Sequence, residues 1–199
     1  PILCSNYHTE AKINNIESKK ILEILKNKEV PIIAGFQGID ENNNIVTLGR
    51  GGSDTSAVAI AASVSADRCD IYTDVDGIYT CDPRIVSKAK KLNKISYEEM
   101  LEFASLGAKV LQTRSVEMAM RHNVTVQVLS SQTGQKGTFL IKEDKKMENE
   151  LVSGIAYTKD EANITLINIL DKPGVAAKIF TPLSKNNINV DMIVQTGSE

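Results

Sequence analysis

Hydrophobic and polar positions divide the chain into short apolar runs separated by turn-forming and charged stretches. In Lys19–Lys26, Ile21, Leu22, Ile24 and Leu25 stand between charges, which predicts a short helix. Residues 30–36 (VPIIAGF) form a continuous apolar run with a β-branched bias, which predicts a buried strand of the kind found in parallel sheets. The acidic, Asn-rich stretch 40–44 predicts a turn, followed by a short strand over 45–48. A glycine-rich loop, GRGGSD at 49–54, comes next, then a helix of small apolar residues over 55–66 and a strand over 70–73. The order strand, glycine-rich loop, helix, strand points to a layered α/β fold.

Ser96, Tyr97, Glu98 and Glu99 form a capping box that opens a helix to about Leu106, and Gly107 ends it. A further helix is predicted over 113–122, an alternating strand over 124–129 and its partner over 137–141. Residues 142–150 (KEDKKMENE) carry seven charges in nine positions and read as a domain linker. Beyond it, 164–170 alternates like a strand. Val175, Ala176, Ile179, Phe180 and Leu183 share one helical face, and 189–195 reads as another strand. This β-α-β order is half of a ferredoxin-like domain. Pro182 falls inside its helix, where a proline costs about 3 kcal/mol and removes a hydrogen bond, so a kink or an early end is expected near Phe180.

Composition narrows the classes. With 199 residues, one domain or two small ones are expected. The chain is 42% hydrophobic and 24% charged, with 12 Gly and 5 Pro, which excludes a disordered, collagen-like or low-complexity protein. A net charge of -2 argues against a nucleic-acid groove. No apolar run approaches the roughly 18 residues of a membrane span, and no signal peptide opens the chain. Cys4, Cys69 and Cys81 form no C-x-x-C pair, and their odd number argues against a disulfide framework, so a reducing cytosol is the simplest setting. His8 and His122 are the only imidazoles, which gives little support to histidine metal sites or Ser–His machinery.

The strongest local signal is the glycine loop. Gly49, Gly51 and Gly52 permit a left-handed backbone and close approach of a ligand. Ser53 and Asp54 fall at a helix start, where free N–H groups favour an anion, and Arg50 adds a fork suited to carboxylate or phosphate. The alternative is a tight turn with Ser53 or Asp54 as helix cap. No G-K-[ST] follows, so this is not a Walker loop, and the G-x-S-x-G of a nucleophile elbow is incomplete. Asp74 and Asp76 follow a strand, facing either Mg²⁺ or ribose at its carboxyl end, or forming an Asp-Gly turn. Taken alone, the stiff Asp82-Pro83-Arg84 turn reads as structural and Lys109 as a solvated charge. Asp171 is either a turn residue or a partner for the amine of a bound amino acid.

Taken together, these segments resemble the aspartate kinases of the amino-acid kinase family. The carrying residues are 30–38 (VPIIAGFQG), 47–57 (TLGRGGSDTSA), 72–77 (YTDVDG), 82–84 (DPR), 96–100 (SYEEM), 171–174 (DKPG) and 189–192 (NVDM). The likeness runs through nearly the whole chain in order. It implies the C-terminal part of a three-layer α/β/α kinase domain over 1–142, a charged linker over 143–150, and an incomplete βαβ ACT regulatory domain over 151–199. It also implies transfer of the γ-phosphate of Mg-ATP to the side-chain carboxylate of L-aspartate, the first step toward lysine, threonine and methionine. Arg50, Gly51, Gly52 and Ser53 would hold aspartate, and Asp54 would organise the transfer centre. Thr73, Asp74, Tyr79, Arg84 and Lys109 would bind ATP. Asp171, Val175, Ala176, Asn189, Asp191 and Gln195 would line an effector site for lysine or threonine. ACT domains of such enzymes usually pair, implying a homo- or hetero-oligomer in the cytoplasm.

Several positions depart from the family pattern. Glu10 follows His-Thr where a basic residue is usual, and Gln112-Thr113 replaces His-Pro beside the nucleotide site. A Lys-Phe-Gly-Gly phosphate-binding strand, the rest of the ACT fold and a second ACT domain are not found. The 199 residues therefore read as an internal fragment of a longer enzyme, with the isolated piece expected to be inactive.

Overall fold

The computed structural model describes residues 1–108, 110–143, 152–157, 162–167, 169, 172–186, 188, 190 and 193–194. Two compact units are present, Pro1–Lys159 and Asp160–Glu199.

The first unit is mixed α/β with two four-stranded sheets. In one, β1 (Ile2–Cys4) pairs antiparallel with β2 (Ile13–Ile16) and parallel with β3 (Gln37–Ile39), and β3 pairs antiparallel with β4 (Ile45–Thr47). The β3–β4 turn is held by Asp40, whose Oδ1 accepts the N–H groups of Asn42 (2.9 Å) and Asn44 (2.8 Å). In the other sheet, β5 (Cys69–Thr73) runs parallel to β7 (Val126–Ser130), which pairs antiparallel with β8 (Thr138–Ile141). The edge strand β6 (Lys94–Ser96) runs parallel to β8.

The helices α1 (Lys19–Lys26), α3 (Tyr97–Ser105) and α4 (Thr113–His122) stand where the apolar spacing predicts them. The Ser96 capping box is complete. Ser96 Oγ accepts the Glu99 N–H (3.1 Å), and the Glu99 carboxylate accepts the Ser96 N–H (2.9 Å). Helix α2 (Gly52–Ser63) is built from small residues on every side. That lets it pack closely in two directions: Val58 and Ala61 join the core of Ile71, Ile95, Met100, Val126, Val128 and Leu140, while Ile60 packs on Ile2, Cys4, Val46 and Leu48.

Residues 30–36 are neither a strand nor buried. Val30 is 86% and Ile32 97% exposed, and Phe36 takes a left-handed backbone (φ 68°) that breaks an extended run. An apolar run records a tendency to be covered, but a strand also needs a ladder partner. The pairing instead begins at Gln37.

A long excursion over 74–92 leaves the end of β5 and returns to β6. Its two arms meet at the Tyr79–Lys91 bridge. Thr138 anchors it from inside the core: its fully buried Oγ1 accepts the Ile78 N–H (2.8 Å) and donates to the Leu92 carbonyl (2.6 Å). Thr138→Val keeps the shape and removes both bonds, stranding a buried donor and acceptor. We expect a loss of about 1–3 kcal/mol in chemical denaturation. An unchanged midpoint would show that the excursion is held elsewhere.

The stretch 152–157 is attached to the first unit. Ile155 N–H donates to the Thr80 carbonyl (2.7 Å), and the Ser153 hydroxyl donates to Glu99. A Cβ on Gly154 would lie 2.3 Å from the Phe103 ring, so only glycine lets this stretch lie so close.

In the second unit, α5 (Val175–Lys185) follows Gly174 and continues through Pro182. The early end expected near Phe180 does not occur. Proline removes only the bond to the Lys178 carbonyl, and Lys178 and Pro182 lie on an exposed face where water can take that carbonyl. Residues 162–167 carry no strand, and the strand expected over 189–195 lies largely outside the described residues.

Candidate active site

The glycine loop joins β4 to α2. Gly49 (φ 77°) and Gly51 (φ 67°) are both left-handed. Space reinforces the requirement: a Cβ on Gly49 would sit 2.2 Å from the Thr9 carbonyl oxygen, and one on Gly51 2.1 Å from Gln112 Cγ. Gly51 is the N-cap of α2, and no side chain caps the helix. The structural alternative, a cap by Ser53 or Asp54, is therefore not realised. Ser53 is exposed and Asp54 half-buried in the first turn, so the N–H groups there face a place where an anion would be favoured. Arg50 is exposed and forms no ion pair among the described residues.

Burial pushes the Asp54 carboxyl above its ordinary range. Cys69, at the start of β5, has its thiol pushed up to about 11 by burial, with Asp70 and Asp54 adding to the shift. Asp54 is thus within electrostatic reach of β5. The short connection 64–68 reverses the chain between α2 and β5, which pack together. The carboxyl end of β5 is the end at which open sheets bind ligands.

At that end stand Thr73 and Asp74. Thr73 Oγ1 donates to Asp74 Oδ1 (3.0 Å), and the Asp74 carboxylate is exposed. Asp76 is engaged internally, accepting the Tyr79 hydroxyl (3.0 Å) and Lys91 Nζ (3.2 Å). Burial raises its carboxyl, but the Tyr79 and Lys91 bonds and the Lys91 charge outweigh this and leave it below its ordinary range. Arg84 is 88% exposed and pairs with Asp82 at 2.8 Å. The pair is bidentate, with Nε on Asp82 Oδ1 (3.0 Å) and Nη2 on Oδ2 (2.8 Å), so Arg84 would have to break both bonds to meet another anion with that edge of its guanidinium.

The fold thus assembles Arg50, Gly51, Gly52, Ser53 and Asp54 on one loop. Thr73, Asp74, Tyr79 and Arg84 lie on the strand end and its excursion. Lys109 lies outside the described residues, as do Asp171, Asn189, Asp191 and Gln195 of the expected effector site. Val175 and Ala176 stand in the first turn of α5. Two participants escaped the sequence pattern. Thr138 looks like any strand threonine. Arg114 is more legible in retrospect, because a cation in the first turn of a helix opposes the helix dipole and so marks a side chain employed elsewhere.

A profile of the amino acid kinase family matches residues 2–130, and an ACT domain profile matches residues 160–199. The chain is 55% identical over 198 residues to an aspartate kinase of Pseudomonas fluorescens (strain SBW25), covering 99% of this chain and 48% of that protein. It is 49% identical over 199 residues to an aspartokinase of Helicobacter pylori (strain ATCC 700392 / 26695), covering 98% and 49%. The chain spans about half the length of the curated relatives it matches. Among solved structures, E. coli aspartokinase III in complex with lysine and aspartate (T-state) superposes with a TM-score of 0.73 at 30% identity, covering 98% of this chain and 45% of that one. The same enzyme in complex with aspartate and ADP (R-state) gives 0.67 over the same shares. With the family profile spanning most of the first unit, and its α/β fold repeated in these structures, this chain belongs to the amino acid kinase family.

Proposed function

We propose that this chain is part of an aspartate kinase, which transfers the γ-phosphate of ATP to the side-chain carboxylate of L-aspartate, giving 4-phospho-L-aspartate and ADP. The observation that carries this reading is the glycine loop: two left-handed glycines deliver a helix start without a side-chain cap, beside an exposed Arg50 with no ion pair among the described residues and a half-buried Asp54. Identity of about 50% to aspartate kinases along the whole chain supports the choice of acceptor. The division adopted is a kinase part over 1–142, a charged connector over 143–150 and an incomplete ACT domain beyond it, with the correction that 152–157 is bonded back onto the first unit and the ACT match covers 160–199.

In this reading Arg50 takes a carboxylate of aspartate in its guanidinium fork, and Gly51 and Ser53 present backbone N–H groups to it, while Gly52, whose own N–H donates to the Gly49 carbonyl (3.0 Å), holds the turn and leaves room for the ligand. The attacking group is a carboxylate, already deprotonated at neutral pH, so no general base is required. Asp54 accordingly orients donors around the transfer centre rather than removing a proton. Thr73 and Asp74 meet the nucleotide, the ring of Tyr79 borders it while its hydroxyl stays on Asp76, and Arg84 and Lys109 meet the phosphates.

Among the described residues, no three His, Cys, Asp or Glu side chains converge as a metal cage. Mg²⁺ in kinases is held mainly by the nucleotide phosphates with one or two carboxylates; Asp74, exposed at the strand end, would serve. The ion neutralises phosphate charge when bound.

The ACT unit, matched over 160–199, would bind lysine or threonine as a feedback effector and pair with another ACT domain in an oligomer. No helix among the described residues is long and apolar enough to cross a membrane. The enzyme would serve lysine, threonine and methionine synthesis in the cytoplasm. The test is ADP release by the intact protein with aspartate, glutamate or a nucleoside monophosphate as acceptor. Aspartate alone is expected to support turnover, with lysine or threonine inhibiting it. Turnover with another acceptor and none with aspartate defeats the reading.

A further inference from the structure

Arg114 stands in the first turn of α4, where its charge opposes the helix dipole, and Gln112 at the N-cap makes no side-chain cap. The guanidinium is spent on backbone outside the helix. Nη1 donates to the Leu48 carbonyl (2.7 Å) and Nη2 to the Ala11 carbonyl (2.5 Å). Leu48 and Ala11 are almost fully buried, and Leu48 immediately precedes Gly49. Ala11 N–H in turn donates to the Thr47 carbonyl (3.2 Å), and Leu48 N–H to the Phe36 carbonyl (2.9 Å). The glycine loop is thus gripped from both sides. The Thr9 carbonyl lies against Gly49, the Gln112 side chain lies against Gly51, and Arg114 ties the two flanking segments to α4 with one rigid fork.

We infer that Arg114 is a positioning residue of the phosphoryl-transfer site, setting the register of the Gly49–Gly52 loop and hence the placement of Arg50 and the first N–H groups of α2. It touches no substrate and acts through the loop. The inference rests on the aspartate kinase reading for its kinetic consequence, though not for its structural one. A misplacement of about 1 Å at such a loop costs up to roughly a hundredfold.

The experiment compares Arg114→Met and Arg114→Lys with the unaltered intact protein. In Arg114→Met the KM for aspartate is expected to rise roughly ten- to hundredfold, while the KM for ATP changes less than about twofold. Arg114→Lys keeps the charge but not the two-pronged reach, and should fall between. Hydrogen exchange of the amides over 49–54 should accelerate in both variants, with α4 amides from Val116 onward unchanged. A folded Arg114→Met with unaltered aspartate KM, or unaltered exchange over 49–54, overturns the proposal. If Arg114→Met does not fold, the same two readouts in Arg114→Lys decide. If the unaltered protein shows no aspartate-dependent turnover, the functional reading fails, and the exchange comparison still decides the role of Arg114.

Discussion

Asp54→Asn in the intact protein is expected to lower turnover by roughly a thousandfold while slightly raising stability at neutral pH. The two effects share one cause. Burial lifts the carboxyl of Asp54 in the folded protein above its value in the unfolded chain, about 3.9. Between those two values the folded state holds more protons than the unfolded state, so stability falls as pH rises through the folded value. At neutral pH the ionised side chain still carries that cost. Asparagine has nearly the same shape and no charge to desolvate. The difference in Tm between variant and unaltered protein should therefore be positive at pH 7 and shrink toward zero near pH 3. If instead the variant melts lower at pH 7, an unrecognised partner stabilises the carboxylate. If the variant retains full activity, the glycine loop is only a turn.

The second large effect is expected at Gly51. Gly51→Ala meets two separable penalties. A left-handed backbone costs an L-residue about 1–2 kcal/mol, and the new Cβ would lie 2.1 Å from Gln112 Cγ and 2.4 Å from its Cβ. Either the loop or α4 must then shift, and the aspartate KM should rise by at least roughly a hundredfold. Gln112→Gly removes both obstructing atoms, and glycine is well tolerated at an N-cap. The double variant should regain the steric part of the loss and keep the conformational part. A double variant no better than Gly51→Ala would show that contact with Gln112 is irrelevant and backbone strain is the whole effect.

These predictions bear on one departure from the family pattern. Of Gln112-Thr113, where the family pattern usually has His-Pro, Gln112 is the side-chain wall against which Gly51 is seated, and Arg114 follows two residues later. A local peculiarity of sequence is thus part of how this chain holds its glycine loop. The start of α4 is tied to the glycine loop by Gln112 against Gly51 and by the two Arg114 bonds to the Leu48 and Ala11 carbonyls.

Local rules determined what depends on neighbours within a few residues. The Ser96–Glu99 box, the stop at Gly107, the helix over Thr113–His122, the Asp40 turn and the glycine loop were all legible, because capping, left-handed turns and amphipathic spacing are settled by short-range geometry. Arg50, Asp54 and Asp74 were legible for the same reason, as residue types at a helix start and a strand end, whereas Arg84 and Lys109 entered only through the family resemblance. Pairing and long-range satisfaction were not. The apolar run 30–36 had a strand's composition, but a strand is made by its partner, and the ladder starts at Gln37. Pro182 had a helix breaker's chemistry, but an exposed face lets water take the bond it forfeits. Thr138 and Arg114 each satisfy backbone groups about 50 to 100 positions away, which no window of sequence connects. Local conformational preference is written residue by residue, whereas the burial and bonding of a polar group depend on which distant segments the fold brings to it.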